Sequence, residues 1–198
     1  MLVVALAPVL GAQEVSMTCA SSSVQTQEVT GPGGVTVVMK VSGTDDYSKN
    51  THDCMAKFQL LMQAVSNGPV KTVDVMASDG PWGRKLGIRL DGFSGDGKRI
   101  LGIYSEHGRS PETMLFDYDV ASGKVTLVSL AKDVSRLNGI KCGTGFAVAG
   151  TTEMGAVVIE PDSTDKCQSN FHWVVTSAAG ALKLLPKGKE ITGLYHGE

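Results

Sequence analysis

The side chains best suited to chemistry lie in polar segments between apolar runs. Asp45, Asp46 and Asp53 fall close together with His52 among them, and carboxylate and imidazole groups can ligate metals or transfer protons. However, the spacing of a calcium loop is absent, as are H-E-x-x-H, G-x-S-x-G and a P-loop. The sequence therefore predicts no catalytic residue, no metal site and no cofactor.

The polar segments point instead to binding. In an antiparallel meander, alternate connections emerge at the same end of the sheet, and long connections on a rigid scaffold commonly carry ligands. Residues 43–53, 77–85, 106–112 and 161–170 are the long connections. We expect the end of the sheets at which these long connections lie to be a ligand or partner surface. Solvated loops without a ligand would give the same sequence pattern. Its candidate binding residues are Asp45, Asp46, Tyr47, His52, Trp82, Arg84, His107 and Arg109.

The elements that would position these loops are short strands. Residues 89–130 read as four strands joined by turns, with tight turns at residues 94–98 and 121–124. Twenty-four glycines and frequent Val and Thr fit many turns and strands better than long helices. The sequence predicts an all-β fold of antiparallel four-stranded meanders.

The pattern recurs along the chain. Closing turns begin at Ser66, Ala121 and Ala178, a period that indicates three units, and residues 24–30 add a further short strand. Residues 54–65 have apolar side chains at both helical and alternating spacing, and the Asn67-Gly68 turn that comes after them favours a strand.

The clearest unit resembles the blade repeat of TolB-type and WD-like β-propellers. The resemblance covers about 42 of 198 residues and depends on Phe93-Ser94, Asp96-Gly97-Lys98, Tyr118-Asp119 and Ser122-Gly123-Lys124, with Gly95 where the family usually has proline. It implies a propeller-like binding scaffold and no catalytic residues. Because propellers usually have at least four blades, three arrangements stay open: a small ring, a β-sandwich of meanders, or open sheet edges completed by a partner or a second copy.

The N-terminus predicts export. Residues 1–12 read as the apolar part and cleavage site of a signal peptide, leaving residues 13–198 as a single all-β domain in the periplasm or outside the cell. No Lys or Arg precedes the apolar run, which suggests a start internal to a longer signal; a buried first strand is the alternative.

Four cysteines fit that compartment. No pair has C-x-x-C spacing, and an even number behind a signal peptide predicts two disulfides. Three connectivities are open, among them the pairing of Cys142 with Cys167 and of Cys19 with Cys54. Four buried free thiols are the alternative.

The net charge of the chain limits the kinds of partner that we expect. A net charge of −2 without long like-charged runs gives no reason to expect binding to nucleic acid or, after signal removal, to a membrane. The sequence thus predicts an exported, non-catalytic binding or assembly module for a protein or glycan. The alternative is a small extracytoplasmic hydrolase or metal-dependent protein that uses Asp45, Asp46, His52 and His107.

Overall fold

The fold is built almost entirely from antiparallel strands. In a computed structural model, the structure describes residues 15–18, 25–46, 53–64, 67–80, 85–107, 112–139, 145–161, 172–176, 180–186 and 188–195. The strands are β1 (Val15–Thr18), β2 (Gln25–Thr30), β3 (Thr36–Asp46), β4 (Asp53–Gln63), β5 (Val70–Gly80), β6 (Lys85–Phe93), β7 (Arg99–His107), β8 (Glu112–Asp119), β9 (Val125–Ser129), β10 (Phe146–Thr151), β11 (Val157–Pro161), β12 (Val174–Thr176), β13 (Leu182–Leu184) and β14 (Thr192–Gly193). The prediction of antiparallel β-meanders is confirmed.

The strands form three sheets in chain order. The first sheet has the order β2-β3-β4-β5, the second β1-β6-β7-β8-β9 and the third β13-β12-β11-β10-β14. Each contains four consecutive strands as a meander, and the short β1 and β14 add to the second and third sheets. The isolated strand expected near residues 24–30 is thus the first strand of the first sheet. The described strands form no closed ring of blades.

The second sheet lies between the other two. One face packs on the first sheet through a core that includes Met39, Phe58, Ile88 and Tyr104. The rings of Phe58 and Tyr104 meet edge to face across this interface, with centroids 5.9 Å apart. The other face packs on the third sheet through side chains such as Leu101, Leu115, Val148 and Ile159. A strand buried on both faces needs apolar residues at consecutive positions, which Ile100 and Leu101 of β7 supply.

In the part of the chain that the structure describes, the first sheet is buried on one face only. Along β3, Val37, Met39 and Val41 are fully buried, whereas the intervening side chains are more exposed. This alternation follows directly from the two-residue period of a strand. β4 pairs along its length with β3 and β5, so the ambiguous segment is a strand, as the Asn-Gly turn favours.

One helix was not predicted from the sequence. α1 (Ala131–Asn138) follows β9, buries Val134 in the core with the third sheet, and ends at Gly139 with φ 64°. The Asn138-Gly139 pair is a helix C-terminal signal, but eight residues offer too few turns for a convincing apolar period. Within the described part of the chain, no helix is long and apolar enough to cross a bilayer.

Side chains join the sheets where backbone pairing stops. The buried Gln27 amide donates from Nε2 to the Leu90 carbonyl (2.6 Å), and its Oε1 accepts from the Leu90 N–H (2.8 Å). The described pairing of β1 with β6 extends to Ile88, and Gln27 supplies hydrogen bonds to Leu90, two residues further along β6.

A second junction joins the second and third sheets. The Arg89 guanidinium donates to the Phe146 carbonyl (2.6 Å), while the Asp91 carboxylate accepts from the Val148 N–H (2.8 Å). Arg89 also donates to Asp91 at 2.7 Å, so the two side chains hold each other in position. Arg89 and Asp91 share one face of β6 by the two-residue period of a strand, and a register shift follows between Leu90 and Gly92.

Candidate functional site

The predicted binding loops leave from strand ends that the structure describes. Asp45 and Asp46 end β3 opposite Cys54 and Asp53 of β4, and His107 ends β7 opposite Lys85. Four residues separate Gly80 from Lys85, which limits these ends of the first and second sheets to within about 18 Å of each other. The loops at residues 47–52, 81–84 and 108–111 therefore leave from neighbouring strand ends.

The candidate side chains themselves are only partly placed. Asp45, Asp46 and His107 have described backbones at strand ends, but their side chains lie outside the described part. Tyr47, His52, Trp82, Arg84 and Arg109 lie outside the described residues. Whether these eight side chains converge on one ligand stays a prediction.

The cysteine pairings also stay predictions. Cys19, Cys142 and Cys167 lie outside the described residues, as does the whole of residues 1–12, the predicted signal peptide. Cys54 has a described backbone near the start of β4. Among the side chains that the structure does describe, no three His, Cys, Asp or Glu residues are grouped to hold a metal ion.

The tight turns gather at the opposite end of the strands. In the first of them, the Ser94 hydroxyl donates to Asp96 Oδ1 (2.7 Å) and accepts from the Arg99 N–H (3.0 Å). The hydrogen bond from Ser94, followed by that from the Lys98 N–H, lowers the pKa of Asp96. In the second, Asp119 accepts from the backbone N–H and hydroxyl of Ser122, and its pKa is lowered by these bonds.

A backbone hydrogen bond joins the two turns. The Val120 N–H donates to the Lys98 carbonyl at 2.9 Å, so the Asp-Gly-Lys and Ser-Gly-Lys turns share one end, as the meander predicted. A small cleft of about 150 Å³ lies beside them, between the Ser94–Arg99 turn and the turn that joins β10 to β11.

The positive charge that lines this cleft, on Arg99, is already paired. Arg99 forms a forked ion pair with Asp117, and this partner raises the pKa of Arg99. Its remaining nitrogen, Nη1, donates to the Gly155 carbonyl. An arginine committed to one carboxylate and one carbonyl is poorly placed to recognise an anion, so we assign Arg99 to joining the second and third sheets.

A larger groove lies on the outer face of the first sheet, close to the loop ends. It has a volume of about 460 Å³ and is lined by residues of β3, β4 and β5, namely Ser42, Met55, Ala56, Lys57, Asp74, Val75, Met76 and Ala77. Volumes of this order are usual for small-molecule sites. Met55 and Ala77 lie within three residues of the strand ends from which the loops at residues 47–52 and 81–84 leave.

One carboxylate organises the polar side of the groove. Asp74 Oδ1 accepts from Gln59 Nε2 at 2.6 Å and lies 3.3 Å from Lys57 Nζ. The hydrogen bond from Gln59 and then that from Lys57 lower the pKa of Asp74, so the carboxyl is ionised near neutral pH. The site thus offers a fixed anionic acceptor beside an ammonium donor.

None of the groove residues is among the eight candidate binding residues predicted from the sequence, although Ala77 begins one of the predicted long connections. The available sequence signal was the alternation in residues 70–76, which places Lys71 and Asp74 in a strand, but the groove depends on a register shift that letters do not reveal. None of the side chains that line the groove belongs to a known chemical motif.

The chain has no significant match to a protein-family model, to a curated protein or to a solved structure. Its function is therefore inferred from the geometry of the described residues.

Proposed function

We propose that the protein is an exported, non-catalytic binding or assembly module whose partner, a protein or a glycan, contacts the long-loop end of the sheets. The observation that carries this proposal is the groove of about 460 Å³, which adjoins the stems of two long loops. A rigid three-sheet stack that presents loops and a groove at one end suits recognition.

A propeller-like arrangement of the three meanders is part of the proposal. The first strand of each meander contacts the first strand of the next through hydrogen bonds in which the Leu90 N–H donates to the Gln27 side chain and the Val148 N–H donates to the Asp91 carboxylate. Successive sheets also pack face to face, as blades do. The same contacts suit a layered sandwich, the alternative architecture.

The outer face of the first sheet favours an open stack over a closed ring. It carries Lys40, Lys57, Gln59 and Gln63, which a further blade packed on that face would bury at considerable cost. A second copy is more readily accommodated at a sheet edge. β5 is the outermost strand of the first sheet and offers such an edge.

The export part of the proposal is tested by a non-reducing mass and disulfide map of the chain after periplasmic expression. We expect Gln13 as the first residue and a bond between Cys142 and Cys167. An intact Met1 with four alkylatable thiols in the native protein would contradict export.

The binding part is tested on a glycan array and, for self-association, by sedimentation velocity. The double variant Trp82→Ala/Arg84→Ala removes two loop side chains, and Lys98→Ala/Lys124→Ala is its control at the tight-turn end. We expect binding to be lost in the first variant and kept in the second. Loss only in the control would move the partner surface to the tight turns.

The register gives the hydrolase or metal-dependent alternative one supporting observation. Asp46 lies opposite Asp53, and Asp45 precedes Asp46 on the same strand, so the backbones of three carboxylate residues lie at one strand end. Calorimetric titration of the purified protein with zinc and with calcium tests this candidate. Saturable binding that Asp46→Asn abolishes would favour it over the binding module.

A further inference from the structure

β9 is the outermost strand of the second sheet, and one side of its backbone has no partner among the described residues. The Asp119 N–H donates to the Lys124 carbonyl at 2.9 Å, so these two facing residues are a hydrogen-bonded pair. Bonded and non-bonded pairs alternate along an antiparallel ladder, so the even-numbered residues of β9 bond to β8. The odd-numbered residues therefore direct their N–H and C=O groups away from the sheet. They are Val125, Leu127 and Ser129.

The side chains of β9 do not protect this edge. Thr126, Leu127 and Ser129 are exposed, and Leu127 is 36% exposed although it is a large apolar side chain. Residues 125–129 contain neither charge nor proline and are rich in β-branched side chains, which favour strands. Their pairing with β8 has no register shift. A straight, uncharged edge of this kind is a template for pairing with another strand.

The edge at β5 is longer but is protected. Lys71 faces Met62 in the register and so lies on the face of the first sheet that forms the core. A register shift between Phe58 and Gln59 of β4 also gives β5 a bulge. An inward-facing charge and a bulge are both features that discourage pairing at a sheet edge. β5 is therefore less suited than β9 to receive a further strand.

The other described edges are short or already in contact with a neighbouring sheet. β1 has four residues, β13 has three and β14 has two. Pro186 follows closely after β13. β2 lies beside β6, where Gln27 is hydrogen bonded to Leu90. Among the described strands, β9 thus combines length, β propensity and an unprotected edge.

The backbone of β9 is complementary to a second copy of itself. In an antiparallel pair with Leu127 facing Leu127, Val125 of each copy faces Ser129 of the other. Each outward-directed residue then faces another outward-directed residue, and facing residues of this kind exchange both of their hydrogen bonds. This register satisfies every outward-directed N–H and C=O group of the strand.

The side chains are compatible with the same register. Leu127 lies opposite Phe116, which belongs to the core between the first and second sheets, so two facing Leu127 side chains would extend that core across the interface. Thr126 of one copy faces Val128 of the other, and β-branched pairs of this kind stabilise a sheet. Residues 125–129 carry no charge, so no like charges face each other.

We propose that two copies of this chain pair antiparallel through β9, with Leu127 at the two-fold axis. The pairing joins two five-stranded sheets into one continuous sheet. Both copies use the same edge, so the assembly closes as a dimer and does not grow into a fibre. The inference rests on the proposed function, because it names the edge through which the assembly module joins a second copy.

Sedimentation velocity over a range of protein concentrations tests the dimer. We expect the unchanged protein to pass from monomer to dimer without larger species. Leu127→Lys places two like charges face to face and should weaken the dimer by roughly tenfold or more. Val70→Lys is the matched control, because Val70 is a 53% exposed apolar residue of the β5 edge, and it should leave the Kd unchanged.

A charge-swap experiment tests the register. Leu127→Lys and Leu127→Glu should each be monomeric when alone, with the circular dichroism spectrum of the unchanged protein. Mixed in equal amounts, they should form a heterodimer that native mass spectrometry identifies by its mass, because opposite charges then face each other at the axis. Recovery of the dimer on mixing would also show that both variants are folded.

Hydrogen exchange locates the interface without any substitution. The outward-directed amides of Val125, Leu127 and Ser129 should exchange more slowly as the protein concentration rises. The amides of Thr126 and Val128 already donate to β8 and should slow less. Equal slowing along the whole strand would contradict the assignment of outward-directed groups.

Three further results would overturn the proposal. They are a protein still monomeric at about 1 mM, where even a millimolar Kd would give a detectable dimer, a dimer that Val70→Lys rather than Leu127→Lys disrupts, and a mixture of the two folded Leu127 variants that stays monomeric.

These failures are distinguishable from failure of the proposed function. Trp82→Ala/Arg84→Ala should keep the β9 dimer, and Leu127→Lys should keep binding to the glycan array. An absent dimer with glycan binding intact would defeat the β9 pairing alone. An intact dimer without any glycan or protein partner at the loops would defeat the loop surface alone.

Discussion

One hydroxyl in the described part of the core lacks a hydrogen-bond partner. Among the buried side-chain polar atoms that the structure describes, only Tyr118 Oη has no hydrogen-bond partner. Burial, together with the charge of Asp119, raises the pKa of Tyr118, so the hydroxyl stays neutral but uncompensated. A buried polar group without a partner destabilises the fold by about 1–3 kcal/mol.

Removing that hydroxyl should therefore stabilise the protein. We expect Tyr118→Phe to raise the free energy of unfolding by about 1 kcal/mol, measured by urea denaturation with an unchanged m-value. Tyr104→Phe is the control, because the Tyr104 hydroxyl donates to Glu106 at 2.8 Å and its loss should not stabilise. Destabilisation by Tyr118→Phe would mean that this hydroxyl has a partner in solution.

Glu160 on β11 makes stability depend on pH. Burial and then the nearby charge of Asp91 raise the pKa of Glu160 above its ordinary value of 4.5. A carboxyl whose pKa is higher in the folded state favours folding most when protonated. Its ionisation therefore costs stability as the pH rises from about 4.5 through the folded-state pKa.

The neutral isostere should remove that dependence. We expect Glu160→Gln to be more stable than the unchanged protein at pH 7 and to lose this advantage at pH 4, as followed by thermal unfolding across the range. Glu153→Gln, an exposed change in the adjoining turn, controls for the loss of one negative charge. An advantage that is equal at pH 4 and pH 7 would contradict the assignment.

At the scale of elements, side chains complete the pairing of β6. Gln27→Ala would leave the Leu90 N–H and carbonyl without the two bonds that the amide supplies in a buried position. We expect a loss of about 2–3 kcal/mol in the free energy of unfolding by urea titration. Thr26→Ala, an exposed change on the same strand, should alter stability by less than about 0.5 kcal/mol. Similar losses in both variants would show that the Gln27 bonds add little.

The tight turns depend on two glycines in the left-handed region. Gly97 has φ 70° and Gly123 has φ 71°. A Cβ on Gly97 would also lie 3.2 Å from Pro32, whereas one on Gly123 would meet only the Tyr118 hydroxyl at 3.8 Å.

Both Gly→Ala changes should destabilise, by about 1–2 kcal/mol for Gly123→Ala and by more for Gly97→Ala. Gly193→Ala is the control, because its φ lies outside the left-handed range and an added Cβ has no atom within 4 Å. The melting temperature measured by calorimetry should be highest for Gly193→Ala, lower for Gly123→Ala and lowest for Gly97→Ala. An unchanged melting temperature in both turn variants would contradict the turn geometry.

The sequence predicts the features of the fold that depend on residues close together in the chain better than those that depend on residues far apart. The turn at residues 94–98 is determined by residues that are adjacent in the sequence. The alternation of apolar and polar side chains in residues 36–42 predicts which face of β3 is buried. The junctions were not readable, because Gln27 and Leu90 lie 63 residues apart and nothing local marks Gln27 as buried. The groove likewise depends on a bulge whose position is set by pairing with β4.

Among the described residues, the three sheets form a stack in which only the middle sheet is covered on both faces. Residues of β7 contribute to both core regions, Ile100 and Tyr104 to one and Leu101 and Ile103 to the other. Opening β7 would therefore disrupt packing with both neighbouring sheets. β5, at the edge of the first sheet, can open at a smaller cost.

Hydrogen exchange should reproduce this order. We expect the β7 amides to exchange only through global unfolding, with free energies equal to that from urea titration, and the β5 amides to exchange through local opening at lower free energies. β3, a central strand of the first sheet covered on one face, is the comparison and should be intermediate. If β3 were protected as strongly as β7, burial on two faces would not set the cooperative unit, and a single unfolding step would involve all three sheets equally.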